Sequence, residues 1–218
     1  VVKGSKSVTL HNHKLFKKVL LETWEKTRTA KTTGTTFPTY GTPAGVSYFN
    51  TLGTLPTHNF QAGVFDGAEK ISGQVMKDRI VLGDYGCFSC PIRCGKITEV
   101  KEGGSVLNGM GPEYETIALM GSSCGIDDLA AIAKAGYICD ESGIDTISAG
   151  GTIACAMELF EKGYLPEQDI GFKLNFGNAE AMLRLVEMIG KKEGFGAILA
   201  EGGYRLAAKY GHPECFMG

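Results

Sequence analysis

The stretch from Asp127 to Gly163, "DDLAAIAKAGYICDESGIDTISAGGTIACAMELFEKG", decides the fold. Its first half opens on two acids, Asp127 and Asp128, which the positive end of a helix favours, and runs through alanine-rich apolar periodicity to a stop at Gly143. Its second half restarts at Asp145, a residue suited to capping a helix, places Ile147, Ala154 and Leu159 on one broad face, and ends at Gly163. Two helices joined by so short a corner predict helix packed on helix.

The same grammar continues on both sides. Asn178 opens "AEAMLRLVEMIGKKEG", with Met182, Leu185, Val186 and Ile189 at helical spacing. "AILAEGGYRLAAKYG" reads as a last helix, weakened by about 1 kcal/mol at each of Gly202 and Gly203. Upstream, Asn12 is placed to cap "HKLFKKVLLETWEKTRTA", whose Leu15, Val19, Leu20 and Trp24 form an apolar stripe that gives way to the polar "KTTGTT". Thr42 and Pro43 start "AGVSYFNTLG", which Gly53 closes, and Leu55–Gly67 has no period and reads as a loop. Strand signals are confined to "SVTL" at 7–10 and "GKITEV" at 95–100. The expectation is a mainly α, multihelical domain with few or no strands, occupying residues 1–218 as one unit.

Composition narrows the function classes. With 218 residues and 43% hydrophobic content the chain can bury a substantial core. A net charge of −2 gives no electrostatic case for nucleic acid or an anionic membrane surface as a partner. No apolar run approaches the roughly 18 residues that span a bilayer, and the opening residues lack the apolar core of a signal peptide, so the chain reads as cytoplasmic. It begins without Met, which suggests a piece of something longer.

Seven cysteines are an odd number for a secreted disulfide framework, and three of them crowd into "CFSCPIRC", Cys87 to Cys94. Thiolates are soft ligands for zinc, Cu(I) and iron–sulfur clusters, and C-x2-C followed by x3-C can turn three sulfurs toward one metal or one cluster face. A closed zinc site or a cubane needs a fourth ligand from elsewhere. Cys139 and Cys155 fall on helical faces and read as small core residues.

"CFSCPIRCGK", "GPEYETIALMGSSCGIDDLAAIAKAGYICDESGIDTISAGG" and "FGNAEAMLRLVEMIGKKEGFGAILAEGG" together resemble the aldehyde ferredoxin oxidoreductase family of tungsten-pterin enzymes, through nearly the whole chain. The resemblance implies the helical fold of that family's inner domains. It also implies that Cys87, Cys90 and Cys94 bind three corners of a 4Fe-4S cluster beside a tungstopterin or molybdopterin. "DESGID" resembles one copy of the family's pterin motif D-x-x-G-L-D, with Asp140, Gly143, Ile144 in place of Leu, and Asp145. Independently of family, a carboxylate such as Asp140 can accept a pterin's paired N–H donors, while glycine allows close approach. Read without the family, Asp145 is an N-cap and Gly143 a helix stop.

In "GPEYET" the resemblance makes Glu115 the first choice, and Glu113 the second, for a proton-handling group near the metal. A glutamate in a dry pocket would have its pKa raised toward the working range of a general acid or base. The plainer reading is a pair of acids in the first turn of a helix. The sequence departs from the family in having no second pterin motif, no matching fourth cluster cysteine, and no β-rich amino-terminal part. Cys124 and Cys215 are the remaining places to look for that ligand.

The function implied is the central domain of an enzyme that converts aldehyde and water to carboxylate. Electrons would leave through the cluster to ferredoxin, and the remaining domains of the parent chain would complete the site. The alternative is a non-catalytic iron–sulfur or zinc module, structural or electron-relaying.

Overall fold

The computed structural model describes residues 4–217. In chain order the helices are α1 (His13–Thr29), α2 (Phe37–Tyr40), α3 (Gly45–Thr51) and α4 (Gly73–Arg79), then α5 (Tyr114–Met120), α6 (Leu129–Ser142), α7 (Thr146–Glu161) and α8 (Glu167–Ile170), and finally α9 (Ala179–Lys191), α10 (Phe195–Leu199) and α11 (Gly203–Lys209). Between α4 and α5 lie β1 (Val81–Tyr85), β2 (Gly95–Glu102) and β3 (Ser105–Met110), an antiparallel sheet in the order β1-β2-β3. The fold is mainly α.

The sequence signals account for the starts of the four longest helices, α1, α6, α7 and α9. Asn12, Asp128, Asp145 and Asn178 accept from the backbone N–H of Leu15, Ala130, Ser148 and Ala181, so each satisfies a donor that helix geometry leaves unpaired. Gly143 (φ 67) and Gly163 (φ 76) take the left-handed conformation that ends a helix. The expected last helix is instead two, α10 and α11, because Gly202 (φ 93) turns the chain between them.

α7 runs through the interior, with Ile153, Ala154, Cys155, Ala156, Met157 and Leu159 all fully buried. Ile147 departs from the expected face: it stands in the first turn, half-exposed, at the open end of the helix. α9 buries Met182, Leu185, Val186 and Ile189 as its spacing predicts, each contributing about 1.5–3 kcal/mol relative to exposure. Cys139 and Cys155 are core residues. α1 forms as expected but buries none of its residues, and Leu15, Val19, Leu20 and Trp24 remain open to solvent.

Of the two strand candidates, 95–100 lies in β2, whereas 7–10 finds no neighbouring strand and is not one. β1 and β3 gave little signal because glycine interrupts both, at Gly83 and Gly109. Gly109 has a packing role: a Cβ there would sit 2.3 Å from Cδ1 of Tyr137, whose hydroxyl pairs with Thr98 Oγ1 at 2.7 Å. That contact fastens the sheet to α6.

α5 crosses closely on α7. A Cβ on Gly150 would lie 2.7 Å from Leu119 Cβ and 2.8 Å from its carbonyl carbon, whereas one on Gly151 would lie 3.9 Å from Leu119 Cδ1. Gly150→Ala is therefore expected to lower stability by about 1–3 kcal/mol in urea unfolding, the crowding outweighing the helix-propensity gain. Gly151→Ala, with room for its methyl, should be neutral or stabilising by up to about 1 kcal/mol. Equal effects of the two substitutions would contradict the assignment of Gly150 as the crossing point.

Candidate functional site: a carboxylate cleft beside the cysteine loop

The crossing of α5 and α7 sets the site. Thr116 of α5 and Thr146 of α7 pair through their hydroxyls at 2.8 Å, holding the two amino-terminal ends together. Between these ends, the end of β3 and α6 lies a cleft of about 300 Å³ whose lining includes Tyr85, Glu113, Glu115, Asp140, Asp145 and Ile147. All four carboxylates singled out from the sequence meet there.

Each is held differently. Asp145 Oδ2 accepts from Ser148 N and Ser148 Oγ, both at 2.7 Å, and these bonds keep its carboxyl below the usual carboxylate range. Asp140, on the last turn of α6, makes no hydrogen bond among the described residues, and partial burial pushes its pKa up. Gly143, between them, is exposed with no atom near the position of a Cβ. Ile144 is half-buried against the core.

Glu113 is the N-cap residue of α5, yet its own side chain makes no cap bond. Thr42 does that work from a separate segment: its hydroxyl accepts from Tyr114 N at 2.8 Å and donates to Glu113 Oε2. Burial raises the pKa of Glu113, with the charge of Glu115 adding to the rise, while the Thr42 bond and the Lys96 charge pull the other way. Glu113, the second choice from sequence, thus sits in a pKa-raising environment. Glu115 is exposed, in the first turn of α5.

Lys96 was not legible as a site residue. It is 2% exposed, with Nζ 2.7 Å from Asp84 Oδ1 and 2.5 Å from the carbonyl of Pro38. A buried ammonium persists only with such partners. Tyr85 was missed as well, although it stands two residues before Cys87. Burial raises its pKa, and so do the charges of Glu113, Cys87, Asp140 and Cys94, which places the cleft and the cysteine loop in one electrostatic neighbourhood.

The cysteine loop joins β1 to β2. Cys90 N donates to the Cys87 carbonyl at 3.0 Å, and Ser89 (φ 58) and Arg93 (φ 54) take left-handed conformations that turn the loop back. Cys87 is exposed, Cys90 and Cys94 are half-buried, and burial raises the Cys94 thiol. Among the described residues no group of three or more His, Cys, Asp or Glu side chains is assembled to hold a metal ion. Cys124 and Cys215 are fully buried; the Cys124 thiol donates to the Leu119 carbonyl, and Cys215 lies beside Lys162.

These residues fit the groups that the sequence suggests. An unpartnered carboxylate on Asp140 beside the bare backbone of Gly143 suits a flat ring edge rich in N–H donors. Three thiols on one open loop are of the soft-ligand type that part of a cluster would need.

Comparison with known proteins defines the class. Residues 18–218 match the family described as aldehyde ferredoxin oxidoreductase, domains 2 and 3, and the chain belongs to that family. It is 43% identical over 218 residues to the tungsten-containing aldehyde ferredoxin oxidoreductase of Pyrococcus furiosus, covering 99% of this chain and 36% of that protein. Against the same enzyme of Pyrococcus horikoshii the identity is 44%, covering 100% of this chain and 36% of the relative. The aliphatic sulfonate oxidoreductase, WOR-like subunit, of Pyrococcus furiosus is 35% identical over 96% of this chain and 33% of its own length. The chain thus spans about a third of the relatives it matches. The BamBC active-site complex of benzoyl coenzyme A reductase, solved with 1,5-dienoyl-CoA, matches with a TM-score of 0.60 at 24% identity, covering 81% of this chain and 27% of that one, and shows the fold alone.

The two aspartates are expected to respond oppositely. Asp145→Ala removes a cap and should cost about 0.5–2 kcal/mol at neutral pH. Because the folded pKa of Asp145 is depressed, its contribution is complete above the unfolded value near 4 and is lost as pH falls through the folded value, so the difference should shrink in acid. Asp140→Asn should leave stability at neutral pH unchanged or slightly raised, since folding there disfavours the charge. Urea titrations across pH 3–7 read both, and a pH-independent cost for Asp145→Ala would contradict the cap.

Proposed function

We propose that residues 1–218 form the central helical domain of a longer pterin-dependent aldehyde oxidoreductase. The observation that carries this reading is the convergence of Asp140, Asp145, Glu113 and Glu115 on one cleft, with Tyr85 linking it to the cysteine loop. The names of the relatives and the third of their length that the chain spans support it.

In this reading Asp140 and Asp145, with Gly143 and Ile144 at the corner between α6 and α7, hold the pterin: tungstopterin by analogy with the relatives, molybdopterin as the variant. Cys87, Cys90 and Cys94 hold three corners of a 4Fe-4S cluster, and the fourth ligand comes from outside residues 1–218. When bound, the metal–pterin group supplies the two-electron oxidation of an aldehyde with water to a carboxylate. The chain's own residues do the rest. Asp140 accepts the N–H edge and fixes its orientation, and Asp145 is pre-set for the same task by its cap bonds. Glu115, at the cleft wall, takes up and returns a proton. Glu113, held by Thr42, shapes the floor and keeps a raised pKa beside it. The cysteine loop places the exit for single electrons on an exposed face, toward a ferredoxin, in a cytoplasmic enzyme. Among the described residues no helix is long and apolar enough to cross a membrane.

A non-catalytic iron–sulfur or zinc module is the second reading, and the open, uncaged cysteine loop is what keeps it in view. Metal analysis of the longer parent separates the two. Tungsten or molybdenum with pterin is the expected result, falling in Asp140→Ala while the melting temperature holds; colourless protein with stoichiometric zinc and no pterin would overturn the oxidoreductase. The 218-residue chain alone should neither reduce a viologen dye with aldehyde nor retain an intact cubane after purification in air, since metal affinity depends on the complete ligand set.

A further inference from the structure

We infer that the aromatic hollow on the far side of Glu115 seats the substituent of the substrate, and that the favoured aldehydes carry an uncharged aromatic or similarly bulky flat group. The inference rests on the role given to Glu115 above. The hollow measures about 590 Å³, within the range of small-molecule sites, and its walls include Phe37, Gly45, Tyr48, Phe49 and Tyr114. Glu115 is on its lining and also on the lining of the carboxylate cleft. A molecule resting in the hollow therefore meets the cofactor side of the site across the one side chain assigned to move a proton.

The walls say what fits. Tyr48 and Phe49 meet edge to face, with centroids 5.3 Å apart, and Phe49 and Tyr114 are tilted at 47° with centroids 5.0 Å apart. Such a run of rings offers both faces and edges to a flat apolar guest. Tyr48 is 61% exposed, so its ring is available to one. Glu115 is the one charged residue on the lining, so an anionic substituent would find no counter-ion there, and a cationic one would tie up the carboxylate assigned to move the proton. The pterin's donor-rich edge belongs on the other side, with Asp140 and Asp145. The backbone of Tyr114 is held by the Thr42 bond to its N–H, and its ring rests against Phe49.

Gly45 sets the width. Its backbone is ordinary helix, and a Cβ would stand 3.1 Å from Phe49 Cε2 and 3.3 Å from Tyr114 Cδ2. Gly45→Ala would set a methyl on the lining in tight contact with both rings, narrowing the hollow without backbone strain. Tyr48→Ala opens it at the exposed rim, where folding is least at risk.

Binding to the 218-residue chain is tested first, with benzyl alcohol as the unreactive aromatic probe and ethanol as the small control, followed by amide NMR shifts. The expected result is saturable shifts at Gly45, Tyr48, Phe49 and Tyr114 with benzyl alcohol alone, and at least about tenfold weaker binding in both variants, whose spectra otherwise remain folded. In the longer parent, the ratio of kcat/KM for benzaldehyde to that for acetaldehyde should fall about tenfold or more in Gly45→Ala, the size of effect that one methyl has in an apolar pocket. No saturable shifts at these residues, together with an unchanged ratio in the variant, would overturn the hollow and leave the oxidoreductase reading standing. A parent that oxidises no aldehyde while benzyl alcohol still saturates these amides would remove that reading and leave the aromatic site.

Discussion

The contact of Gly150 with the backbone of Leu119 is the constraint on which the site depends. It lets α5 and α7 cross closely enough for Thr116 and Thr146 to share a hydrogen bond, and that brings the amino-terminal turns of the two helices to one cleft. Glu115 arrives on α5 and Asp145 on the cap of α7. With larger side chains at the crossing, the same carboxylates would stand on separated helix ends, solvated and unrelated. A packing feature at the core thus fixes a chemical feature at the surface, as interiors packed to crystal density transmit small displacements.

A second constraint is electrostatic. Burying Glu113 costs free energy in its ionised form, and the fold answers with the Thr42 hydroxyl and the nearby Lys96 charge. Lys96 is itself buried, so it in turn needs Asp84 and the Pro38 carbonyl, which tie β2 to β1 and to α2. The chain of dependence runs from α2 through the sheet to the first turn of α5, and each charge is tolerable because of the next. The cysteine loop is the turn of that same sheet, so its position relative to the cleft follows from the Lys96 anchor.

Much of this was legible in the sequence where the signal is local. Asn12, Asp128, Asp145 and Asn178 cap helices because cap chemistry involves a side chain and a backbone N–H two or three residues on. The stripe of α9 is buried as spaced. Legibility failed where the cause lies far along the chain. β1 and β3 escaped notice because Gly83 and Gly109 weaken strand propensity, and the reason for Gly109, the ring of Tyr137, is 28 positions away. Lys96 looks like any strand lysine until Pro38 and Asp84 close over it. The aromatic hollow draws on residues 32–49 and on Tyr114 and Glu115, so no window of sequence contains it. The stripe of α1 shows the opposite failure: periodicity identifies a helix, but burial needs a partner surface, and residues 4–217 offer none.

The corner "DESGID" has the helix stop and the cap that its residues predict. Gly143 is a helix stop and Asp145 is an N-cap, and Asp145 also borders the cleft, together with Asp140. The two roles reinforce each other. A left-handed glycine followed by a cap ends one helix and starts the next within three residues, which leaves Asp140 and Asp145 on the same side of a tight corner. Capping orders the Asp145 carboxylate before any ligand arrives, so less side-chain freedom is lost on binding. Asp140, with no such bond, keeps its acceptor capacity for an incoming group. In the proposed reading this helix junction suits a flat, donor-rich ring, because the geometry that ends one helix and caps the next leaves one ordered and one unpartnered carboxylate on the same cleft.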